Sequence, residues 1–188
     1  PSAGPNGAIS IVRAVCAADP DRYYFADQYG NPANPAAHTA TTGPELWQQT
    51  EGEITHFVAG LGTTGTMMGT GRYLKAQNRA VELVAVQPSD SFHGLEGLKH
   101  MPTAIVPPIY DETFPDRQIA VDTGEAYDAA RELARLEGLF VGASTGGALV
   151  AALRVGAEAT AAGEPAVIVA LAPDNGSKYL STGLWGNG

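Results

Sequence analysis

The segment Gly60-Leu61-Gly62-Thr63-Thr64-Gly65-Thr66 concentrates polar donors on a turn with few bulky side chains. An apolar run, Ile54 to Ala59, leads into it, and a helix-like pattern from about Thr66 to Gln77 leaves it. The first N–H groups of a helix have no partner inside the helix, and its dipole is positive at that end. A glycine-rich turn leaves these groups uncovered, which makes an anion site. Three threonine hydroxyls add donors, so the chemistry suits a phosphate. Residues 60 to 65 also fit the spacing G-x-G-x-x-G of a dinucleotide-binding turn. That reading needs a carboxylate at the end of the next strand to hold a ribose. The strand ends Ala85-Val86-Gln87-Pro88, with Asp90 beyond the required position, so the dinucleotide reading is the weaker one. A tight turn that binds nothing would account for the glycines but leaves the threonines unexplained.

Other candidates are less organised. His38, His56, His93 and His100 show no i, i+4 pairing, so no metal site is expected. His93 and His100 fall in a long loop, where solvent is the default neighbour. Glu96 and Asp111 lack the paired carboxylate of a glycosidase, and Ser144 lacks a nucleophile-elbow context. Cys16 sits among Ile9, Ile11, Val12 and Val15 and reads as a small buried hydrophobe. As the one cysteine it forms no intramolecular disulfide, which suits a reducing cytoplasm. With 11 Lys and Arg against a net charge of −9, the chain offers no basic face for nucleic acid. No apolar run reaches membrane-spanning length and no signal peptide is visible.

These residues need elements to position them. The pattern predicts a helix over 8–18, a short strand over 23–26, a turn over 30–35, and a helix over 37–50 that Gly43-Pro44 divides. Strands follow at 54–59 and 82–86, then a proline-rich stretch from Ser89 to Pro115 and a weak strand over 118–121. A helix over 123–137 has Asp122 or Thr123 to cap it and Gly138 to end it. Another spans 144–162. The continuously apolar 166–171 reads as a strand buried on both faces. Strands alternating with helices imply an α/β fold with a mainly parallel sheet flanked by helices.

Five stretches in order resemble the cysteine synthase and cystathionine β-synthase family of pyridoxal-phosphate enzymes. They are the 54–66 segment, Gln28-Tyr29-Gly30-Asn31-Pro32-Ala33-Asn34-Pro35, Thr42-Gly43-Pro44-Glu45, 137–146 with Gly142-Ala143-Ser144-Thr145-Gly146, and 173–182 with Lys178-Tyr179-Leu180-Ser181-Thr182. Among members of that family the chain is most like a cysteine synthase. The resemblance implies fold type II, the tryptophan synthase β-like fold, incomplete at its N-terminus. Residues 1–30 would be the tail of the smaller domain and 31–188 the larger, cofactor-phosphate-binding domain, without the N-terminal strands that complete its sheet.

The resemblance also implies roles. Gly62, Thr63, Thr64, Gly65 and Thr66 match the positions that hold the cofactor phosphate, with Thr64 where many relatives have glycine. Ser144 matches the serine that meets the pyridine nitrogen. A neutral hydroxyl makes the ring a weaker electron sink than a carboxylate would, which suffices where a β leaving group departs. From the residues alone, a helix N-cap is the favoured reading of Ser144, and the hydroxyl can do both jobs. Gln28 matches a residue that meets the substrate carboxylate. The family's Schiff-base lysine motif and its T-S-G-N-T-G loop have no match. Lys75 reads as solvated at a helix end, Lys178 belongs to the last motif, and Lys99 lies in the long loop, so no catalytic lysine is named. The implied activity is a transferase or lyase chemistry of cysteine biosynthesis. It replaces the β substituent of O-acetylserine or O-phosphoserine by sulfide or another sulfur donor, in a cytoplasmic homodimer. Alternatives are cystathionine β-synthase activity and a non-catalytic homologue that binds the cofactor or a phosphate. Lys99, with His100 assisting, is the candidate to meet a phosphate leaving group, and Glu96 opposes an anion there unless it pairs with Lys99.

Overall fold

A computed structural model describes residues 4–186. Four parallel strands form the sheet: β1 (His56–Gly60), β2 (Glu82–Pro88), β3 (Arg117–Val121) and β4 (Ile168–Ala170), in the order β3-β2-β1-β4. β1 and β2 pair from His56↔Glu82 to Gly60↔Val86, and β1 and β4 from His56↔Ile168 to Val58↔Ala170. Successive side chains on a strand point to opposite faces. Phe57, Ala59, Leu83 and Ala85 therefore share a cluster with Met67, Met68 and Leu74 of α4 (Gly65–Gln77). Val58, Val84 and Val86 pack on the other face against Ala126 and Ala130 of α5 (Thr123–Glu137) and Ala148, Ala151 and Val155 of α6 (Ala143–Ala162). Helices on both faces are what near-continuous apolar strands require.

Local chemistry sets the ends of these helices. At the start of α5 Asp122 accepts from the Gly124 N–H at 2.7 Å, and Glu125 accepts from the Asp122 N–H at 3.3 Å. This reciprocal arrangement uses donors that the first turn would otherwise leave unpaired. Gly138 ends α5 with φ 70°, as expected of a left-handed cap. Arg154 of α6 grips Glu125 at 2.9 Å and the Ala120 carbonyl at 3.0 Å, tying both helices to β3.

Several expectations are corrected. Residues 23–26 form no strand, and Tyr24 is 89% exposed with no neighbouring strand to pair with. The helix expected over 37–50 is two helices, α2 (Ala33–Ala40) and α3 (Thr42–Gln49), and the break falls at Thr41 rather than Gly43-Pro44. Pro44 sits in the first turn of α3, where a backbone N–H has no intrahelical partner to lose. α2 also begins inside the stretch expected to be a turn. β4 is only half-buried because it is an edge strand, paired with β1 alone. On α1 (Gly4–Ala18), Ile9 is buried, but Ile11, Val12 and Val15 are exposed and Cys16 is half-buried, so the buried-hydrophobe reading of Cys16 does not hold. Lys75 is not free in solvent: its Nζ lies 2.7 Å from Asp116, which also accepts from the Leu83 N–H.

The stretch between β2 and β3 contains neither helix nor strand, as expected, but it is anchored. Leu95 is fully buried in the α5/α6 core, and Met101 joins the α4 core. The Lys99 N–H donates to the Leu61 carbonyl at 2.8 Å, laying the loop across the glycine-rich turn.

Adjacent glycines in α6 give a direct check on this packing. A Cβ on Gly146 would collide with the Ala126 carbonyl of α5, whereas a Cβ on Gly147 would meet Leu95, Val86 and Leu98 at 3.7, 3.8 and 3.9 Å, an ordinary contact. Urea denaturation of the complete protein should show Gly146→Ala destabilised by roughly 1–3 kcal/mol. Gly147→Ala should be neutral or stabilised by up to about 1 kcal/mol from helix propensity. Equal losses for both would contradict the α5–α6 packing described.

Candidate active site

β1 and β4 mark the point where the connection direction of the sheet reverses. From β1 the chain passes through α4 to β2, on one side, while β4 lies on the other. In an open parallel sheet a crevice forms beyond the carboxyl ends of the strands at such a point. A cleft of about 330 Å³ lies there. Its lining includes Gly62, Thr63, Thr64 and Thr66 from the turn into α4, Ser144 from α6, and Asp174 with Lys178 and Tyr179 from the last motif. Two helix N-termini thus open on one cleft, and their uncovered N–H groups favour a negative charge there.

The turn is shaped by close approaches. A Cβ on Gly62 would collide with the Gly97 carbonyl, and one on Gly65 with the Asn34 side chain. The Asn34 Nδ2 donates to the Gln28 carbonyl at 2.7 Å and to Thr63 Oγ1 at 3.0 Å. His38 lies 3.2 Å from Thr66 Oγ1 through Nε2 and 2.9 Å from Thr42 Oγ1 through Nδ1. Thr64 holds φ 71°, a left-handed conformation in which a β-branched residue is strained by about 1–2 kcal/mol. It is buried, and its Oγ1 has no partner among the described residues. A buried, unpartnered hydroxyl costs free energy unless something reaches it. The turn therefore fits a phosphate on two grounds that the residues themselves provide: open backbone and an unused donor.

Ser144 is the second residue of α6, not its cap. The N-cap is Gly142, which makes no side-chain cap bond. The capping alternative is excluded, and the Ser144 hydroxyl makes no hydrogen bond among the described residues. Behind it, the Gly142 N–H donates to the Asp174 carbonyl at 3.3 Å and Val141 bridges Asn175, which binds the two motifs together. A Cβ on Gly142 would collide with the Asp174 carboxylate. Asp174 Oδ2 accepts from the Tyr179 hydroxyl at 2.7 Å, while its Oδ1 is buried without a partner. Burial, reinforced by this bond to Asp174, pushes the Tyr179 phenol well above its ordinary range, so it stays a donor. Lys178 Nζ is 3.7 Å from Asp174 and mostly exposed.

Of the other residues marked in the sequence, Glu96 lines the cleft, and Gln28, Lys99 and His100 do not. Gln28 is linked to the turn only through Asn34, which donates to its main-chain carbonyl, and the residue is exposed. Lys99 does not line the cleft and is not a solvated loop lysine either: it is 7% exposed, with Nζ 4.7 Å from the centroid of the Tyr29 ring. Burial pushes its ammonium below the usual lysine range. Glu96 lines the cleft but makes no ion pair with Lys99 among the described residues. His100 bonds Thr103 at 2.8 Å. Among the described residues no group of His, Cys, Asp and Glu could hold a metal ion. Gln87 at the end of β2 accepts from the Met101 N–H at 3.1 Å, and Asp90 turns back onto the Phe92 N–H, so no carboxylate waits for a ribose. Sequence reasoning missed His38 and Asn34 as supports of the turn, and Asp174 as a cleft residue. Asn34 and Asp174 lay inside quoted motifs; their side-chain roles depend on contacts between distant segments.

The comparisons agree with this geometry. A family described as "Pyridoxal-phosphate dependent enzyme" matches residues 2–174. A "Cysteine synthase" of Aquifex aeolicus (strain VF5) is 52% identical over 185 residues, 98% of this chain and 57% of that protein. A "Cysteine synthase B" of Escherichia coli (strain K12) is 44% identical over 160 residues, covering 85% of this chain and 51% of its own length. The chain therefore spans little more than half of these relatives. Among solved structures, a cysteine synthase (OASS) from Entamoeba histolytica superposes with a TM-score of 0.88 at 33% identity, over 98% of this chain and 55% of that one. An O-ureido-L-serine synthase gives 0.87 at 34% identity, over 98% and 59%. On this match in sequence and fold, the chain belongs to the pyridoxal-phosphate dependent enzyme family.

Proposed function

We propose that the complete protein containing this chain forms cysteine by replacing the β substituent of an activated serine with sulfide, and that this chain supplies the seat of the cofactor. The observation that carries the reading is the convergence of Thr63, Thr64 and Thr66 with Ser144 on one cleft between two helix N-termini. Bound pyridoxal phosphate would supply the electron sink that stabilises a carbanion at the substrate α carbon. Thr63, Thr64 and Thr66 would hold the phosphate, with the backbone of Gly62 and Gly65. The Ser144 hydroxyl would meet the ring nitrogen. At the N-terminus of α6 the local potential disfavours a protonated nitrogen, which suits a neutral hydroxyl partner. Asp174 would orient the cleft through Tyr179 rather than meet the cofactor, because one of its oxygens is already committed to that phenol.

The domain division proposed is residues 1–30 in a smaller domain and 31–188 in the larger. The exposed Ile11, Val12 and Val15 on α1 support further polypeptide packed against that helix, and the open edge of β4 leaves room for a further strand. The protein is proposed to act as a cytoplasmic homodimer. Among the described residues no helix is long and apolar enough to cross a membrane.

None of Lys75, Lys99 and Lys178 is proposed as the Schiff-base lysine. Lys75 is engaged with Asp116 away from the cleft, Lys99 is buried against Tyr29, and Lys178, though in the cleft, is mostly exposed beside Asp174. Mixing this chain with pyridoxal phosphate and reducing with borohydride should leave all three lysines without a stoichiometric adduct by peptide mass mapping, and no cysteine should form. A stoichiometric adduct on Lys178 together with turnover would overturn the assignment.

The leaving group is proposed to be phosphate, read by Lys99 from beside the cleft: its N–H is bonded to the Leu61 carbonyl of the turn, and its neighbours Gly97 and Leu98 line the cleft. A buried ammonium with an aromatic ring and no carboxylate against it has charge to offer an anion. A phosphate ester brings about two negative charges, whereas an acetyl ester is neutral. In the complete protein, Lys99→Ala should lower kcat/KM for O-phosphoserine by roughly tenfold or more, the worth of one charged hydrogen bond, and leave O-acetylserine within about twofold. Equal losses on both substrates, or none on either, would show that Lys99 does not read the leaving group.

A further inference from the structure

Helix α2 crosses the first turns of α4 at close range. A Cβ on Gly69 of α4 would collide with the Pro35 carbonyl and come within 2.7 Å of the His38 Cβ. Thr39 Oγ1 donates to the Gly69 carbonyl at 2.9 Å, which fixes the rotation of α2 on α4. The approach places two α2 side chains, Asn34 and His38, directly behind two threonines of the cleft, Thr63 and Thr66.

At Thr63 the donor order is settled by the partners. A carbonyl only accepts, so the Asn34 atom at 2.7 Å from the Gln28 carbonyl is its NH₂. Its second proton goes to Thr63 Oγ1 at 3.0 Å. The Gly65 N–H also donates to Thr63 Oγ1, at 3.3 Å. Both lone pairs of the hydroxyl are then used, and its proton is left for the cleft. His38 can serve Thr66 in the same way only in one tautomer. With the proton on Nε2, His38 donates to Thr66 Oγ1 and Nδ1 accepts from the Thr42 hydroxyl. With the proton on Nδ1, the Thr66 hydroxyl must donate to His38, and its proton is withdrawn from the cleft. A phosphate has acceptors and needs donors.

We infer that His38 is a positioning residue of the anion site. In its Nε2–H tautomer it accepts a hydrogen bond from the Thr42 hydroxyl at Nδ1, donates one to Thr66 Oγ1 from Nε2, and so aims the Thr66 proton at a bound phosphate. The inference rests on reading the turn as a phosphate site and adds the chain Thr42–His38–Thr66 to it. His38 is partly buried, and burial pushes its imidazole below the usual histidine range, which keeps the ring neutral as the relay requires. Its ring does not line the cleft, so it acts through Thr66.

Two measurements on the complete protein test this. First, long-range ¹⁵N–¹H correlation on histidine-labelled protein, saturated with inorganic phosphate and then with pyridoxal phosphate, reads the His38 tautomer, assigned with His38→Gln. The Nε2–H form is expected in both, and the Nδ1–H form in either would overturn the inference. Secondly, pyridoxal phosphate affinity is measured by titration. His38→Phe keeps the ring volume and should weaken binding about five- to tenfold, the worth of one hydrogen bond. His38→Gln, whose Nε2 can reach the same hydroxyl, should remain within about twofold, and in a Thr66→Val background His38→Phe should cost no more than about twofold further. Equal losses for His38→Phe and His38→Gln, or additive losses with Thr66→Val, would reduce His38 to a packing residue. Unchanged affinity in Thr66→Val would instead remove the phosphate reading itself. If His38→Phe does not fold, the tautomer measurement decides.

Discussion

Parallel strands all end on the same edge of a sheet, and each helix that follows a strand starts there. In this chain the constraint brings the N-terminus of α4 to a crevice beside β1 and β4, and the Val141–Asn175 bridge brings the N-terminus of α6 to the same crevice. Everything chemically distinctive follows from that meeting. The crevice carries positive potential from two sets of unpaired N–H groups before any charged side chain is added. Consistent with this, the donors that line it are mostly neutral: three threonines, one serine and a tyrosine held protonated by burial and by Asp174. A strongly acidic chain can thus present an anion site without a basic patch.

Stability and function draw on the same contacts in opposite ways. The strained φ of Thr64 and its unpaired hydroxyl both disfavour the unliganded fold. Asp174 Oδ1 is a third such cost, a buried carboxylate oxygen without a partner. These expenses are sustained by a core that is close to saturated, with Phe57, Leu61, Met67, Met68 and Leu83 fully buried behind the turn. Exposed apolar residues lie elsewhere, Ile11, Val12 and Val15 on α1 among them.

Much of this was legible in the sequence because it depends on local chemistry. The turn 60–66, the capped helix over 123–137 and the strand that leads into the turn are written in adjacent residues. The failures share a cause. Residues 23–26 had the composition of a strand but no neighbour to pair with, and 166–171 had the composition of a central strand but lies at an edge. The apolar neighbours of Cys16 promised burial, yet the residue is only half-buried among the described elements. Ser144 had the type and setting of a cap, yet the helix begins one residue earlier than expected, and Gly142 takes that position. The dependence of Thr66 on His38 joins residues 28 apart through a helix crossing, which no local pattern encodes.

The central claim is that the two helix N-termini hold one cofactor between them, phosphate at α4 and ring nitrogen at α6. An experimental structure of the complete protein with pyridoxal phosphate bound tests it most directly. The account expects the phosphate oxygens within about 3.2 Å of the Thr63 and Thr66 hydroxyls and the ring nitrogen at a similar distance from Ser144 Oγ. A ring nitrogen paired instead with the free oxygen of Asp174, or a phosphate seated away from α4, would contradict it.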